Sequence, residues 1–214
     1  MRKRKMPISE HPMQALAGFL PPGSFDPVVD YLHRYQVHLT VTKKRKSVLG
    51  DYRHAHHGAN HRITVNGDLN QYEFLITLLH ELAHLLTFEQ FGRRVEPHGI
   101  EWKRTYSGLL QDFIGRQFFP EDIVKALRKS VMNPAATANG EMELLKVLRR
   151  YNPVQQRNGI MIEELPDGAL FETEKGKQFR KLHKRRTRIE CVELRTGLHY
   201  SFSPITEVKP IQAQ

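Results

Sequence analysis

Thiol ligands are nearly missing from this 214-residue chain, in which Cys191 is the single cysteine. That excludes an internal disulfide and any zinc site built from several thiolates, and it suits a reducing compartment. Long apolar runs are missing too. The most apolar stretch, Phe74 to Leu86, is interrupted by Thr77, His80, Glu81 and His84. It falls well short of the roughly twenty residues that cross a bilayer. Ala15 to Leu20 runs into Pro21-Pro22 and is too short for the apolar core of a signal peptide. Acidic side chains are in deficit: 23 Asp+Glu against 33 Lys+Arg leave a formal charge of +10 with the 12 histidines neutral, which points to a polyanionic partner. The expectation is an intracellular, cytoplasmic protein with no membrane segment, whose metal ligands, if any, are histidines and carboxylates.

At 39% hydrophobic and 26% charged residues, the composition suits one globular domain, or one with a small appendage. Residues 1–25 read as a basic, partly flexible segment. Asp26-Pro27 is a helix-start signal, and Val28, Val29, Leu32 and Tyr35 form a stripe, which predicts a helix near 26–36. Val37, Leu39 and Val41 alternate with polar residues, as a half-buried strand requires, and further strands are expected at Leu49 to Arg53 and Arg62 to Val65. Asn70 with Glu73 resembles a capping box and opens a helix to about Gln90, stopped by Gly92. Helices are also expected from Gly99 to Ile114 and from Pro120 to Val131, completing a core at 26–132. Residues 133–158 read as a linker and helix. From 159 to 214, short alternating runs separated by glycines predict a small antiparallel β module.

The strongest chemical signal is His80-Glu81-Leu82-Ala83-His84 inside the long helix. Residues four apart on a helix lie about 40° apart around its axis, so both imidazoles project from one face and can grip one metal ion. Glu81 on the flank is placed to take a proton from a metal-bound water. At this composition the pattern arises by chance about 0.05 times per chain, so its helical context matters. Leu75, Leu78, Leu82, Leu85 and Leu86 are expected on the opposite, core-facing side, leaving the histidine face to line a cleft. A catalytic metal needs a third protein ligand and an open position. His98, in the turn Pro97-His98-Gly99, is the best candidate, and Glu101 is the competitor.

Four motifs together, Leu49-Gly50-x-Tyr52, Ile63-x-Val65-Asn66, His80 to His84 and His98-Gly99-x-x-Trp102, resemble the SprT-like family of intracellular zinc metalloproteases, which includes Spartan. The resemblance spans about residues 26–120. It implies an α+β fold with a small zincin-like metalloprotease core, a short sheet packed on the HExxH helix, and one Zn²⁺ held by His80, His84 and His98 with Glu81 as the catalytic residue. It also implies peptide-bond hydrolysis by metal-activated water, directed in characterised relatives at proteins on DNA. Many members carry a four-cysteine zinc ribbon near the C-terminus. This chain has only Cys191 there, so the β-rich module is expected to be metal-free, held by an apolar core of Leu170, Phe171, Phe179, Ile189, Val192, Tyr200 and Phe202.

Cations concentrate at Lys181, Lys184, Arg185, Arg186 and Arg188, a density suited to nucleic-acid phosphates, DNA being the expected partner, or else to a solvated strand face. Lys43 to Lys46 and Arg2 to Lys5 are weaker versions. His54, His56, His57 and His61 read as a solvated loop near the cleft. A strand at Ile63 to Val65 is a candidate to hold an extended peptide substrate by strand addition. The rival to the enzyme reading is a nucleic-acid-binding protein whose metal is only structural.

Overall fold

The computed structural model describes residues 13–45, 48–56, 58–135, 141–153 and 159–211. The basic tip Arg2 to Lys5, Lys46, His57 and parts of the expected linker (136–140 and 154–158) lie outside these. Two compact units follow one another along the chain, Met1–Tyr151 and Asn152–Gln214. The architecture is α+β, and no helix among the described residues is long and apolar enough to cross a membrane.

In the first unit a 3₁₀ turn (Met13–Phe19) precedes α1 (Phe25–Arg34), β1 (Val37–Thr42), β2 (Gly50–Arg53), β3 (His61–Asn66), α2 (Gln71–Phe91), α3 (Ile100–Gly115), α4 (Glu121–Met132) and α5 (Met142–Arg149). The three strands form a sheet in the order β1-β3-β2. The chain runs along β1, crosses over, returns on β2, and comes back as β3 between them, parallel to β1 and antiparallel to β2. β3 is therefore paired on both sides and has no free edge for a peptide. That overturns the expectation for Ile63 to Val65 and leaves β1 and β2 as the edge strands, of which β2 borders the cleft described below.

α2 is the organising helix. The Asn70 side chain accepts from the Tyr72 and Glu73 backbone N–H groups and donates to the Leu148 carbonyl in α5. Gly92 ends the helix at φ 64°, a conformation that glycine adopts without strain. Leucines were expected to bury one face only, but α2 is enclosed on nearly every side. Phe74, Leu75, Leu78, Leu79, Leu82 and Leu85 are fully buried, and Thr77 and Glu81 on other faces are buried as well. α5, the helix expected within 133–158, sends Leu144 and Leu148 into this same core.

The second unit is a six-stranded sheet in the order β4-β9-β5-β6-β7-β8, with every neighbouring pair antiparallel. Its strands are β4 (Ile160–Met161), β5 (Leu170–Glu172), β6 (Gln178–Arg185), β7 (Arg188–Glu193), β8 (His199–Phe202) and β9 (Glu207–Ile211). Phe171, Phe179 and Ile189 form its core with Ile162, Leu165, Cys191 and Val208. Val192 and Leu170 are outside that cluster, since both are in register with Arg180 on the other face. Two buried charges are satisfied within the fold. Glu193 pairs with Lys177 and accepts from Thr196 and Tyr200. Lys181, on β6, donates to the Leu165 carbonyl at 2.5 Å and pairs with Asp167 at 3.3 Å.

Candidate metal centre

His80 and His84 stand one helical turn apart on α2. A turn closed by the Gly99 N–H donating to the Glu96 carbonyl (2.9 Å) reverses the chain just before α3 and brings His98 over them. The ring centroids lie 5.0 Å (His80–His84), 5.3 Å (His80–His98) and 4.6 Å (His84–His98) apart. One nitrogen from each ring lies within 4.8 Å of the others. Among the described residues this is the one such group of three or more metal-capable side chains, and it contains His98, not Glu101.

The donor chemistry fits a divalent cation. Burial, and then the neighbouring imidazoles, hold His80 down at about 3 and His84 at about 4, and burial also lowers His98. All three are therefore neutral near pH 7, with a lone pair free for a ligand bond. The Nε2 atoms of His80 and His98 are 3.3 Å apart. Two nitrogens bound at 2.0–2.1 Å to one tetrahedral ion stand about 3.3–3.4 Å from each other. The fully buried indole of Trp102 packs against all three rings, at 4.7 Å from His80, 5.2 Å from His84 and 4.7 Å from His98, and Tyr106 stacks beneath it at 5.1 Å.

Glu81 is 6% exposed. Burial and then the Asp51 charge push it up to about 8, against the opposing field of Arg45. Its carboxyl lies against β2, where a Cβ added at Gly50 would come within 2.6 Å of Glu81 Oε1. Gly50, Asp51 and Tyr52 of β2 form one wall of a cleft of about 720 Å³ that also exposes His80, Glu81, His84 and His98. Its lining also includes Phe88, Arg93, Val95 and Pro97.

Three features of the two units were not read from the sequence. His61 is not in a solvated loop: it is buried on β3, accepts from the Ala55 N–H at Nδ1, contacts the Tyr52 hydroxyl at 2.9 Å, and meets Glu89 of α2 through Nε2 at 3.2 Å. Acceptance at Nδ1 places the proton on Nε2, which then donates to Glu89. Arg45, grouped with the solvated lysines, is woven into β3 through Asn66 and Thr64. A lone arginine among lysines was the available signal, since its planar fork suits several fixed acceptors. Lys181 is a correction to the phosphate-contact set: at 6% exposure its ammonium is consumed by Leu165 and Asp167. Lys184, Arg185, Arg186 and Arg188 remain exposed at the β6–β7 hairpin, with Arg185 paired to Glu190 at 3.2 Å.

These features define an α+β domain with a three-imidazole candidate metal centre and a buried carboxylate beside it. Residues 25–113 match the SprT-like family, so this segment of the chain is SprT-like. It is 35% identical over 88 residues to Protein SprT of Yersinia enterocolitica, covering 41% of this chain and 48% of that protein. It is 30% identical over 91 residues to Protein SprT of Actinobacillus succinogenes, covering 42% and 50%. Over a shorter stretch of 43 residues it is 54% identical to Protein SprT of Serratia proteamaculans, covering 20% and 25%. The chain thus spans half or less of the length of these curated relatives. No solved structure matches it.

Proposed function

We propose that the protein is a zinc-dependent metallopeptidase with a zincin-like core, acting in the cytoplasm on proteins associated with DNA. The observation that carries this reading is the convergence of three neutral imidazoles from two chain segments beside the buried Glu81 carboxyl. Three nitrogen donors with room for a fourth ligand suit Zn²⁺ in a catalytic role. His80, His84 and His98 hold the ion, which, when bound, acidifies water and polarises a peptide carbonyl. Glu81 takes the proton from the attacking water and returns it to the departing amine. β2 offers its free edge to an extended substrate backbone, beside the cleft rather than across the sheet from it. Glu81, seated against Gly50 of β2 and outside the three-imidazole group, is placed for proton transfer and not for ligation.

The DNA part of the reading is supported by the charge of +10 and by the exposed Lys184, Arg186 and Arg188. One variant tests the catalytic core. Glu81→Gln is expected to keep one equivalent of zinc and the wild-type fold while losing peptide cleavage. A wild type that binds zinc and cleaves nothing, with or without DNA, supports the structural-metal alternative instead. Cleavage indifferent to DNA, with no salt-sensitive DNA binding, removes the DNA part alone.

A further inference from the structure

Arg45, after β1, and residues 48–49, before β2, are stitched to the end of β3 by two side chains. Asn66, 1% exposed, donates from Nδ2 to the Arg45 carbonyl (3.2 Å) and the Val48 carbonyl (3.1 Å), while its Oδ1 accepts from Arg45 Nε (2.8 Å) and from the Thr42 hydroxyl (3.1 Å). The Arg45 fork has two further contacts. Nη1 donates to Thr64 Oγ1 at 3.0 Å, and Nη2 donates to the Leu49 carbonyl at 3.3 Å. The Leu49 carbonyl also accepts the Asn66 backbone N–H at 2.9 Å, so the residue just before β2 is held from two directions. The next residue is Gly50, whose missing Cβ makes room for Glu81 Oε1, Glu81 Cγ and Thr77 Cγ2.

We infer that Arg45 is a positioning residue for Glu81: its guanidinium clamps the entry to β2 so that Gly50 seats the Glu81 carboxyl at the cleft. This rests on the proton-transfer role proposed for Glu81. A planar fork suits the task because Nε, Nη1 and Nη2 reach three acceptors on different segments at once, the side chains of Asn66 and Thr64 and the main chain at Leu49. Lysine places one ammonium and cannot span them.

The test compares wild type, Arg45→Lys and Arg45→Met, each first shown to hold one equivalent of zinc and to be folded by near-ultraviolet circular dichroism. The expected result for Arg45→Met is a fall in kcat on the order of ten- to a hundredfold with KM within about threefold, because an error in positioning is felt at the reacting atoms. Arg45→Lys, which keeps the charge and loses the fork, is expected to recover only part of that loss. Backbone hydrogen exchange at residues 48–53 is expected to quicken in both variants while the α3 core stays protected. The inference is overturned by wild-type kcat in Arg45→Met, by a loss confined to KM or to zinc content, by full recovery with lysine, or by unchanged exchange at residues 48–53. Absence of cleavage in the wild type sinks the peptidase reading itself, which separates the two failures.

Discussion

Placing a single methyl group at Gly50 probes how tightly Glu81 is seated. Gly50 does not have a positive φ, so alanine brings no backbone strain and the effect is steric. The new Cβ would lie 2.6 Å from Glu81 Oε1 and 2.9 Å from both Glu81 Cγ and Thr77 Cγ2. Thr77 is β-branched, on a helix and buried, so its rotamer has little freedom to retreat. Restoring ordinary contact near 3.4 Å requires the carboxyl to move by about 0.8 Å, or β2 to lift by a similar distance. Overpacking of this kind costs about 1–3 kcal/mol of stability. A displaced proton-transfer group lowers kcat by one to two orders of magnitude, about ten- to a hundredfold. Urea unfolding reads the first quantity and hydrolysis of a peptide substrate the second. Zinc content, read by elemental analysis, should remain at one equivalent because no ligand is touched. A Gly50→Ala protein with both wild-type stability and wild-type kcat would falsify the placement of Glu81 against β2.

Removing the third imidazole with His98→Ala should weaken zinc binding by at least about a hundredfold while leaving the fold in place, read by competition with a chromogenic chelator; unchanged affinity would mean another ligand serves. Glu73, raised to about 7 by burial and then by Asp68, keeps its proton in the folded state while the unfolded chain releases it near 4.5. Stability contributed at this site is therefore present at low pH, falls as pH rises between those values, and is fully lost above 7. Glu73→Gln should accordingly stabilise the protein by about 1–3 kcal/mol at pH 8 and by almost nothing at pH 4, as read by urea midpoints. In the second unit, Lys181→Ala strands the Leu165 carbonyl and should cost about 2–4 kcal/mol. By contrast, Lys184→Ala and Arg186→Ala should leave stability alone and each reduce the salt slope of DNA binding by about one; a Lys181 effect confined to DNA affinity would reverse that assignment.

Periodicity located most elements because the sequence carries strong local signals: the cap at Asn70, the stop at Gly92, and the alternation through Val37 to Thr42. The three imidazoles were legible for a similar reason. Two share a helical turn, and the third follows a proline-marked turn just before another helix. What escaped was non-local. That β3 threads between β1 and β2 depends on a crossover that no residue pattern announces. β9 carries Pro210, a residue that argues against an interior strand. Its β4 flank pairs only through Glu207 and Val208, so Pro210 lies beyond that ladder and its missing N–H leaves no gap there. Lys181 and Arg45 both looked like solvated charge because burial of a cation becomes credible only when its acceptors, distant in sequence, are seen around it.

Among the described residues, a chelator has a candidate target in only one of the two units. The three-imidazole group belongs to the first unit, whereas the second is held by stacked aromatic rings and internally paired charges, with no comparable cluster among the described residues. Metal starvation should therefore silence the one without loosening the other. If the exposed cations of the β6–β7 hairpin do hold DNA as proposed, that grip should outlast removal of the ion.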